Sequence, residues 1–371
     1  MKKKVVHITT VHNAQDARIF FRQCCSLAKH FDTHLIAPAK QDFELDGVNI
    51  HAIGENRGRL HRVLVKQIRA LWTAFRIKAD LYHFHDPELI LTGLCLKLLG
   101  RKVIYDVHED VPKDILLKTH IPTVLRRPLA LMANFMENLA AKYCDAIITV
   151  TPDIARRFPP HKTVLVRNYP FQILPAATYQ AYLAREIDLI YIGSITLNRG
   201  LTQMTTAAKE INKNFVMIGN ASPTLISEYL QADKYVKHIP WMPSNQLLTN
   251  LANSKVGLVV LHPTPTFLTS YPLKLFEYMA AGIPVIAANF PEWEEIINRY
   301  QCGLVVDPLD EEAIKQAMLY LLNNPEKAYQ MGQNGLKAVM GELNWEREFR
   351  ALLSVYNKEW KDNTISLRLE N

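Results

Sequence analysis

No apolar run in this 371-residue chain approaches the roughly 18 residues that span a bilayer, so no membrane-crossing helix is expected. After a basic Met1-Lys-Lys-Lys4 the amino end offers only Val5-Val-His-Ile8, which reads as a first β-strand and not as a secretory signal. Cysteine is scarce: Cys24, Cys25, Cys95, Cys144 and Cys302 are odd in number and lack paired metal-ligand spacing. That pattern argues against a disulfide framework or a zinc module, and buried free thiols in a reducing cytosol are expected. Nothing in the chain has the form of a nucleophile elbow, a Walker loop or a zinc-protease helix. Internal repeats of about 20–50 residues are absent, as is any recognised nucleic-acid module, so no nucleic-acid partner is expected.

What the chain does contain is ordinary globular material, 49% hydrophobic and 21% charged, in a length that favours two domains. Short apolar strands alternate with amphipathic helices. Strands are expected at 5–8, 33–36, 81–84, 102–106, 146–150 and 163–166, with helices around 17–30, 60–75, 87–99 and 125–144. A second series runs through 189–192, 215–218, 236–238, 256–260, 284–287 and 303–305. Alternation of this kind predicts an α/β fold of two doubly wound, Rossmann-like domains, whose ligands bind where the carboxyl ends of both sheets face a central cleft. The stretch 168–185, with Pro170 and Pro175 and no strand, is the expected linker. The domains are then 1–168 and 169–345, and 346–371 holds a closing helix with apolar residues at helical spacing (Phe349, Leu352, Leu353, Tyr356) and a frayed end.

The charge balance is basic, with 43 Lys and Arg against 36 Asp and Glu, and part of the excess is concentrated. From Arg57 to Lys78 there are seven basic residues and no acid, with Leu60, Val63, Leu64, Ile68, Leu71, Trp72 and Phe75 interleaved at helical spacing. Such a helix fits an anionic membrane surface, which would place the protein in the cytoplasm, peripherally on the inner face of the cell membrane. It equally fits a helix that packs its apolar side on a sheet and leaves the basic side in water.

The richest stretch is Ser270-Tyr-Pro-Leu-Lys-Leu-Phe-Glu-Tyr-Met-Ala-Ala-Gly-Ile-Pro-Val-Ile286. Pro272 suits a first helical position and Gly282 a left-handed exit. Lys274 and Glu277 share one helix side, with Tyr278 four residues beyond the lysine. A helix amino end beside a lysine is an anion site, and a carboxylate one turn deeper can accept from hydroxyls attached to that anion. A sugar nucleotide has that layout. Upstream, Ile190-Tyr-Ile-Gly193-Ser194 and then Arg199-Gly200 read as strand, glycine turn and a cation opening a helix, suited to a diphosphate. Ile218-Gly219-Asn220 repeats the strand-then-glycine pattern and reads as turn chemistry.

In the first half, His83-Phe-His85-Asp86-Pro87-Glu88 and Tyr105-Asp106-Val-His108-Glu109-Asp110 end two successive strands. Three histidines and several carboxylates invite a metal, but His83 and His85 point the same way and can face the core. A polar cluster for an acceptor hydroxyl and a sugar is the preferred reading, with Asp86 before Pro87 as a helix cap. In the loop His12-Asn-Ala-Gln-Asp16-Ala-Arg18, Asp16 is placed to cap a helix. Arg18 in the first turn opposes the helix dipole and needs an anionic or carboxylate partner.

These segments resemble the retaining glycosyltransferase family 4, of two-domain GT-B architecture, over nearly the whole chain. Pro272 to Val285 looks like that family's donor-site signature. The Val11-His12…Asp16-Ala-Arg18, Phe84-His85-Asp86-Pro87-Glu88 and Tyr105-Asp-Val-His108-Glu109 stretches look like a subgroup that builds bacterial surface polysaccharides. The resemblance implies transfer of a sugar from a nucleotide-diphosphate sugar to a lipid-linked or oligosaccharide hydroxyl, with no metal or other cofactor. Glu277 would hold the donor ribose. Gly193, Ser194, Arg199, Lys274 and the N–H groups around Leu273 would face the diphosphate. His108 would contact the transferred sugar, Glu109 is the carboxylate available for a double displacement, and Asp16, Arg18 and His85 are candidates on the acceptor side. Two positions depart from the family pattern: Thr269 and Ser194 stand where a glutamate and an arginine are common. A sugar-nucleotide epimerase of GT-B shape and a catalytically impaired sugar-nucleotide binder therefore stay open as alternatives.

Overall fold

The computed structural model describes residues 2–55, 58, 61–118, 121–230, 233–242 and 244–360. The chain divides into two compact units, Met1–Asn168 with Trp345–Asn371, and Tyr169–Asn344.

Unit 1 is built on an eight-stranded sheet in the order β3-β4-β2-β1-β5-β6-β7-β8. Its strands are β1 (Lys4–Ile8), β2 (Asp32–Ala37), β3 (Phe43–Leu45), β4 (Val48–Ala52), β5 (Leu81–Phe84), β6 (Lys102–Val107), β7 (Ala146–Thr149) and β8 (Thr163–Leu165). All neighbours run parallel except β3 and β4, a hairpin not expected above. Its turn is Asp46-Gly47, both residues at positive φ, the backbone that an Asp-Gly pair supplies at little cost. β1 lies between β2 and β5, so the strand order reverses beside it and the loops at its carboxyl end open onto a switch point.

Because side chains alternate along a strand, the two faces of this sheet carry different layers. Val6, Tyr82, Val103 and Tyr105 pack against α2 (Gln67–Ile77), α3 (Ile90–Leu98) and α5 (Thr123–Tyr143) through Ala70, Ala74, Leu96 and Ala140. Ahead of them in the chain lies α1 (Cys25–Ala28), which continues a π-helical segment, Ala17–Cys24; α4 (Val111–Leu117) packs on α5. On the opposite face Val5, Leu81, Ile104 and Ile148 meet the closing helix, Trp345–Trp360, through Leu352, Leu353 and Tyr356. Trp345 Nε1 donates to Ser26 Oγ at 2.8 Å, and Glu348 accepts from the Arg167 N–H at 2.7 Å, pinning that helix to unit 1. Residues 361–371, which include the ten expected to fray, and Arg57, Arg59 and Leu60 lie outside the described residues.

Unit 2 is a six-stranded, all-parallel sheet in the order β11-β10-β9-β12-β13-β14. The strands are β9 (Ile187–Ile192), β10 (Phe215–Ile218), β11 (Val236–Ile239), β12 (Ser254–Val259), β13 (Val285–Ala288) and β14 (Gly303–Val306). Near-continuous apolar runs such as Ile190-Tyr-Ile and Val285-Ile-Ala-Ala are what a sheet covered on both faces requires. The expected linker needs correction. Past Asn168 it is packed on unit 2: the Leu174 N–H donates to Ala280 O, Tyr329 Oη donates to Ala177 O, and buried Arg185 donates to Ser254 O at 2.7 Å. The thiols also differ from expectation: all five are free, but only Cys24, Cys144 and Cys302 are buried, and Cys95 is exposed.

Candidate active site

In unit 2, three carboxyl-end loops converge. β9 is followed by Gly193, whose φ of +115° favours a residue without Cβ. A Cβ on Gly219, after β10, would stand 1.9 Å from Gly193 O, so that glycine allows the two loops to touch and is more than turn chemistry. A short turn, Leu197–Arg199, then leads through Gly200 into α6 (Leu201–Glu210).

The third contributor is α7 (Leu273–Ala280), for which Pro272 is the N-cap, one position earlier than expected, and Gly282 (φ +63°) the exit. Tyr278 fastens this helix to β9: its hydroxyl accepts from the Ile192 N–H at 3.0 Å, while its ring covers Gly257. The N-cap residue, Pro272, makes no side-chain capping bond, and the N–H groups around Leu273 form the positive end of α7.

Lys274, in that turn, is only 7% exposed. Its Nζ sits 3.7 Å from the Tyr191 ring centroid, and a Cβ on Gly193 would be 3.3 Å from it. Among the described residues the ammonium has no hydrogen-bond partner. Burial pushes its pKa well down, the Arg199 guanidinium adds to that, and Glu277 opposes it. Arg199 lies over the Phe267 ring, and its charge opposes the upward shift that burial gives the Tyr191 hydroxyl. Two cations and the amino end of a helix therefore converge with one half-buried carboxylate, Glu277, among them. This is electrostatically unfinished and is completed by an anion of high charge. Of the expected donor residues, the structure brings Gly193, Arg199, Leu273, Lys274 and Glu277 together. Ser194 is exposed beside Gly193, with its carbonyl accepting from Tyr191 Oη, and Thr269 ends the short helix Pro265–Leu268.

In unit 1 the loop after β1 and the end of β6 meet. His12 Nε2 is 3.2 Å from His108 Nε2, and His12 Nδ1 is 3.2 Å from Asp16 Oδ2. Asp16 caps the following helix through the Arg18 and Ile19 N–H groups, as expected. Burial works against charge on Asp16, but the His12 bond and those N–H groups outweigh it and hold its pKa low. His12 is shifted up: burial disfavours its cation, but Asp16, Asp86 and Glu109 overcome that. His108 is shifted down, chiefly by burial, against Asp106. Adjacent groups pushed apart in this way divide into donor and acceptor, with His12 Nε2–H donating to His108 Nε2. His12 was not singled out from the sequence, although its spacing of four from Asp16 was available as a signal. Glu109 is exposed beside this pair.

Three expectations are corrected here. Arg18 and His85, expected on the acceptor side, are 7% and 1% exposed and serve Asp106 instead. Arg18 grips it in a bidentate pair (2.7 and 3.0 Å), which supplies the carboxylate partner its position demands, and His85 Nδ1 donates to it at 3.1 Å. Asp86 does not cap the helix after it. Its carboxylate turns back to Thr9 Oγ1, the Thr10 N–H and the Val11 N–H, because those donors lie on the adjacent strand end.

A chain of bonds continues from Asp106 through His85, His7 Nδ1 (2.9 Å), His7 Nε2 to Tyr356 Oη (3.0 Å), and Tyr356 Oη to His83 Nδ1 (2.7 Å). With Asp106 ionised, each ring in turn is fixed as a donor at Nδ1, and Tyr356 donates to His7. His7, His83 and His85 are close enough to share a metal, as are His85, Asp106 and His108. In the first group these bonds already use most of the ring nitrogens, and in the second the Arg18 guanidinium occupies the carboxylate.

Comparison with known proteins agrees with this geometry. Residues 17–164 match the description Glycosyltransferase Family 4, and residues 182–338 match Glycosyl transferases group 1. The D-rhamnosyltransferase WbpZ of Pseudomonas aeruginosa is 23% identical over 292 residues, covering 72% of this chain and 70% of that protein. Among solved structures, the Anabaena Alr3699/HepE protein in complex with UDP-glucose superposes with a TM-score of 0.68 at 12% identity, over 96% of this chain and 99% of that one. WaaG, a glycosyltransferase involved in lipopolysaccharide biosynthesis, does so with 0.66 at 13% identity, over 95% and 99%. The two α/β units, each with ligand-type loops at its strand ends, are those of a GT-B fold. The chain belongs to glycosyltransferase family 4 and is a glycosyltransferase of GT-B type.

Proposed function

We propose that this protein moves a sugar from a nucleotide-diphosphate sugar to a hydroxyl of a saccharide or lipid-linked acceptor in cell-surface polysaccharide synthesis, with retention of anomeric configuration and without a metal. The observation that carries this reading is the buried Lys274 ammonium, unpartnered among the described residues, at the amino end of α7 beside Gly193 and Arg199. Alr3699/HepE, of the same fold, was solved with UDP-glucose, which supports a nucleotide-sugar donor here.

In this mechanism the bond from the anomeric carbon to the diphosphate oxygen breaks, and charge gathers on the leaving group. Lys274, Arg199 and the α7 N–H groups neutralise it, and one such contact is worth about 3 kcal/mol in the barrier. The acceptor oxygen attacks from the face the diphosphate leaves, and its proton passes to a leaving phosphate oxygen. Glu277, one turn deeper, accepts from the ribose hydroxyls. His108 in unit 1 is assigned to the transferred sugar and its neighbour His12 to the acceptor side, with Glu109 as the nucleophile only if a double displacement operates. With Ser194 where the family pattern has an arginine, Lys274 supplies that cation beside Arg199, and with Thr269 where the pattern has a glutamate, Glu277 is left to hold the donor by itself.

The exposed basic side of 61–78 supports an anionic membrane surface as partner and a peripheral cytoplasmic location. No described helix is long and apolar enough to cross a membrane. The epimerase alternative predicts nucleotide-sugar interconversion with no acceptor. The test is a nucleotide-release assay with and without saccharide acceptors: acceptor-dependent release with a new glycosidic product supports transfer, and an acceptor-independent epimer overturns it.

A further inference from the structure

The sequence pattern of 61–78 left open whether its apolar side packs on the sheet. Only part of it does. The inner side of α2 is Ala70 and Ala74, with Leu71 and Ile77 partly buried beside them, whereas Leu64, Ile68, Trp72 and Phe75 are 61%, 70%, 58% and 40% exposed. These four recur at helical intervals along one stripe that turns away from the core. The same inversion occurs on α5, whose core side is Ala130, Ala140 and Ala141 and whose outer side exposes Leu131, Met132 and Phe135. α3 between them exposes Leu91 and Leu98. All three helices send their inner residues into one core cluster on one face of the sheet, so their outer sides share a direction. A set of exposed large apolar side chains three helices wide is not an ordinary protein surface.

The charges on these helices have one sign. α2 and α3 contain no Asp or Glu, and the only acid of α5, Glu137, is 1% exposed and ion-paired with Arg157. Arg69, Arg76, Arg127 and Lys142 are exposed alongside the apolar residues, and the Arg76 guanidinium lies 4.5 Å from the Trp72 ring centroid. A second copy of this chain would bring like charges together, whereas an anionic headgroup layer complements them and accepts indole and phenyl rings beneath it.

We propose that the outer sides of α2, α3 and α5 form one docking face for an anionic phospholipid bilayer, with Trp72 and Phe135 as its aromatic anchors. This extends the membrane partner proposed above from one helix to a three-helix face, and it rests on that reading. The test is co-sedimentation of the full chain with vesicles rich in phosphatidylglycerol or made of phosphatidylcholine alone. The wild type is expected to prefer the anionic vesicles and to lose binding as salt rises. Trp72→Ala with Phe135→Ala is expected to weaken binding about tenfold or more, and each single change to weaken it less. The exposed unit 2 change Leu309→Gln is expected to leave it unaltered. Circular dichroism checks that the variants are folded. Equal vesicle binding by wild type and the double variant overturns the proposal. So does a dimer, seen by light scattering, that the double variant dissociates while vesicles are ignored. If Arg69→Gln with Arg76→Gln abolishes binding and the aromatic changes do not, the one-helix electrostatic reading stands and the three-helix face falls.

Discussion

Replacing Lys274 with methionine should stabilise the unliganded protein and at the same time disable it. The ammonium is buried with no hydrogen-bond partner among the described residues, and the nearest acid, Glu277, only partly offsets the burial. An unpaired charge held this way costs several kcal/mol, of which the Tyr191 ring at 3.7 Å returns about 1–2 kcal/mol. Methionine keeps the stem's packing and removes the charge, so a net gain of about 1–3 kcal/mol is expected. In a unit of this size that is an upward shift of roughly 2–8 °C in the unfolding midpoint. Turnover should fall about 100- to 1,000-fold, because a contact to the leaving diphosphate is worth about 2.7–4 kcal/mol. The assay pairs differential scanning fluorimetry without ligand with nucleotide release under saturating donor. A pH series adds a sign. Lys274 binds its proton more weakly when folded, so wild-type stability should rise with pH toward the ordinary lysine range, and the variant should lack that component. A variant less stable than wild type, with turnover unchanged, would refute the assignment of this lysine to an absent anion.

Other consequences can be checked separately. Asp16→Asn keeps a good helix cap but removes the carboxylate that holds His12 protonated, so the alkaline limb of the pH–rate profile should move to lower pH; an unmoved limb counts against His12 as the proton-bearing partner. Tyr356→Phe strips the hydroxyl shared by His83 and His7 and should cost unit 1 about 1–3 kcal/mol in denaturant unfolding, with no change as the contrary result. His7 and His83 are buried neutral, with pKa values pushed well down by burial, so unit 1 should lose stability as pH falls from the ordinary histidine value toward the depressed ones, which pH-dependent tryptophan fluorescence can follow. Gly219→Ala, whose methyl would stand 1.9 Å from Gly193 O, should cost about 3 kcal/mol or more and displace the donor loop, and wild-type donor binding in that variant would contradict the loop contact.

How much of this could be read in advance depended on how local each feature was. The strands of unit 2 and the exit of α7 are written in contiguous apolar runs and a single Gly282, and those are legible. The grouping of Gly193, Arg199, Lys274 and Glu277 was also legible, because its parts lie in two short stretches, 193–199 and 272–282. The approach of Gly219 to Gly193 was not, since it depends on how two loops meet. Arg18 clearly needed an acid, but the acid is Asp106, 88 residues away, and sequence spacing cannot choose it. For α2, periodicity marked the apolar residues but not which of them turn inward: Ala70 and Ala74, flanked by Leu71 and Ile77, fill the space against the sheet, and Ile68, Trp72 and Phe75 are left outside. The hairpin β3–β4 was missed because its strands are short and half polar, although Asp46-Gly47 marked the turn.

The central claim is that unit 2 binds a nucleotide diphosphate through Lys274, Arg199 and the amino end of α7. Isothermal titration of UDP, GDP and ADP, each against its parent nucleoside, tests it most directly. The account predicts that at least one diphosphate binds, that its nucleoside binds far more weakly, and that Arg199→Ala and Lys274→Met each lower the affinity about tenfold or more, as expected for a charge-assisted phosphate contact. Equal binding of nucleoside and diphosphate, or full affinity in both variants, would contradict it.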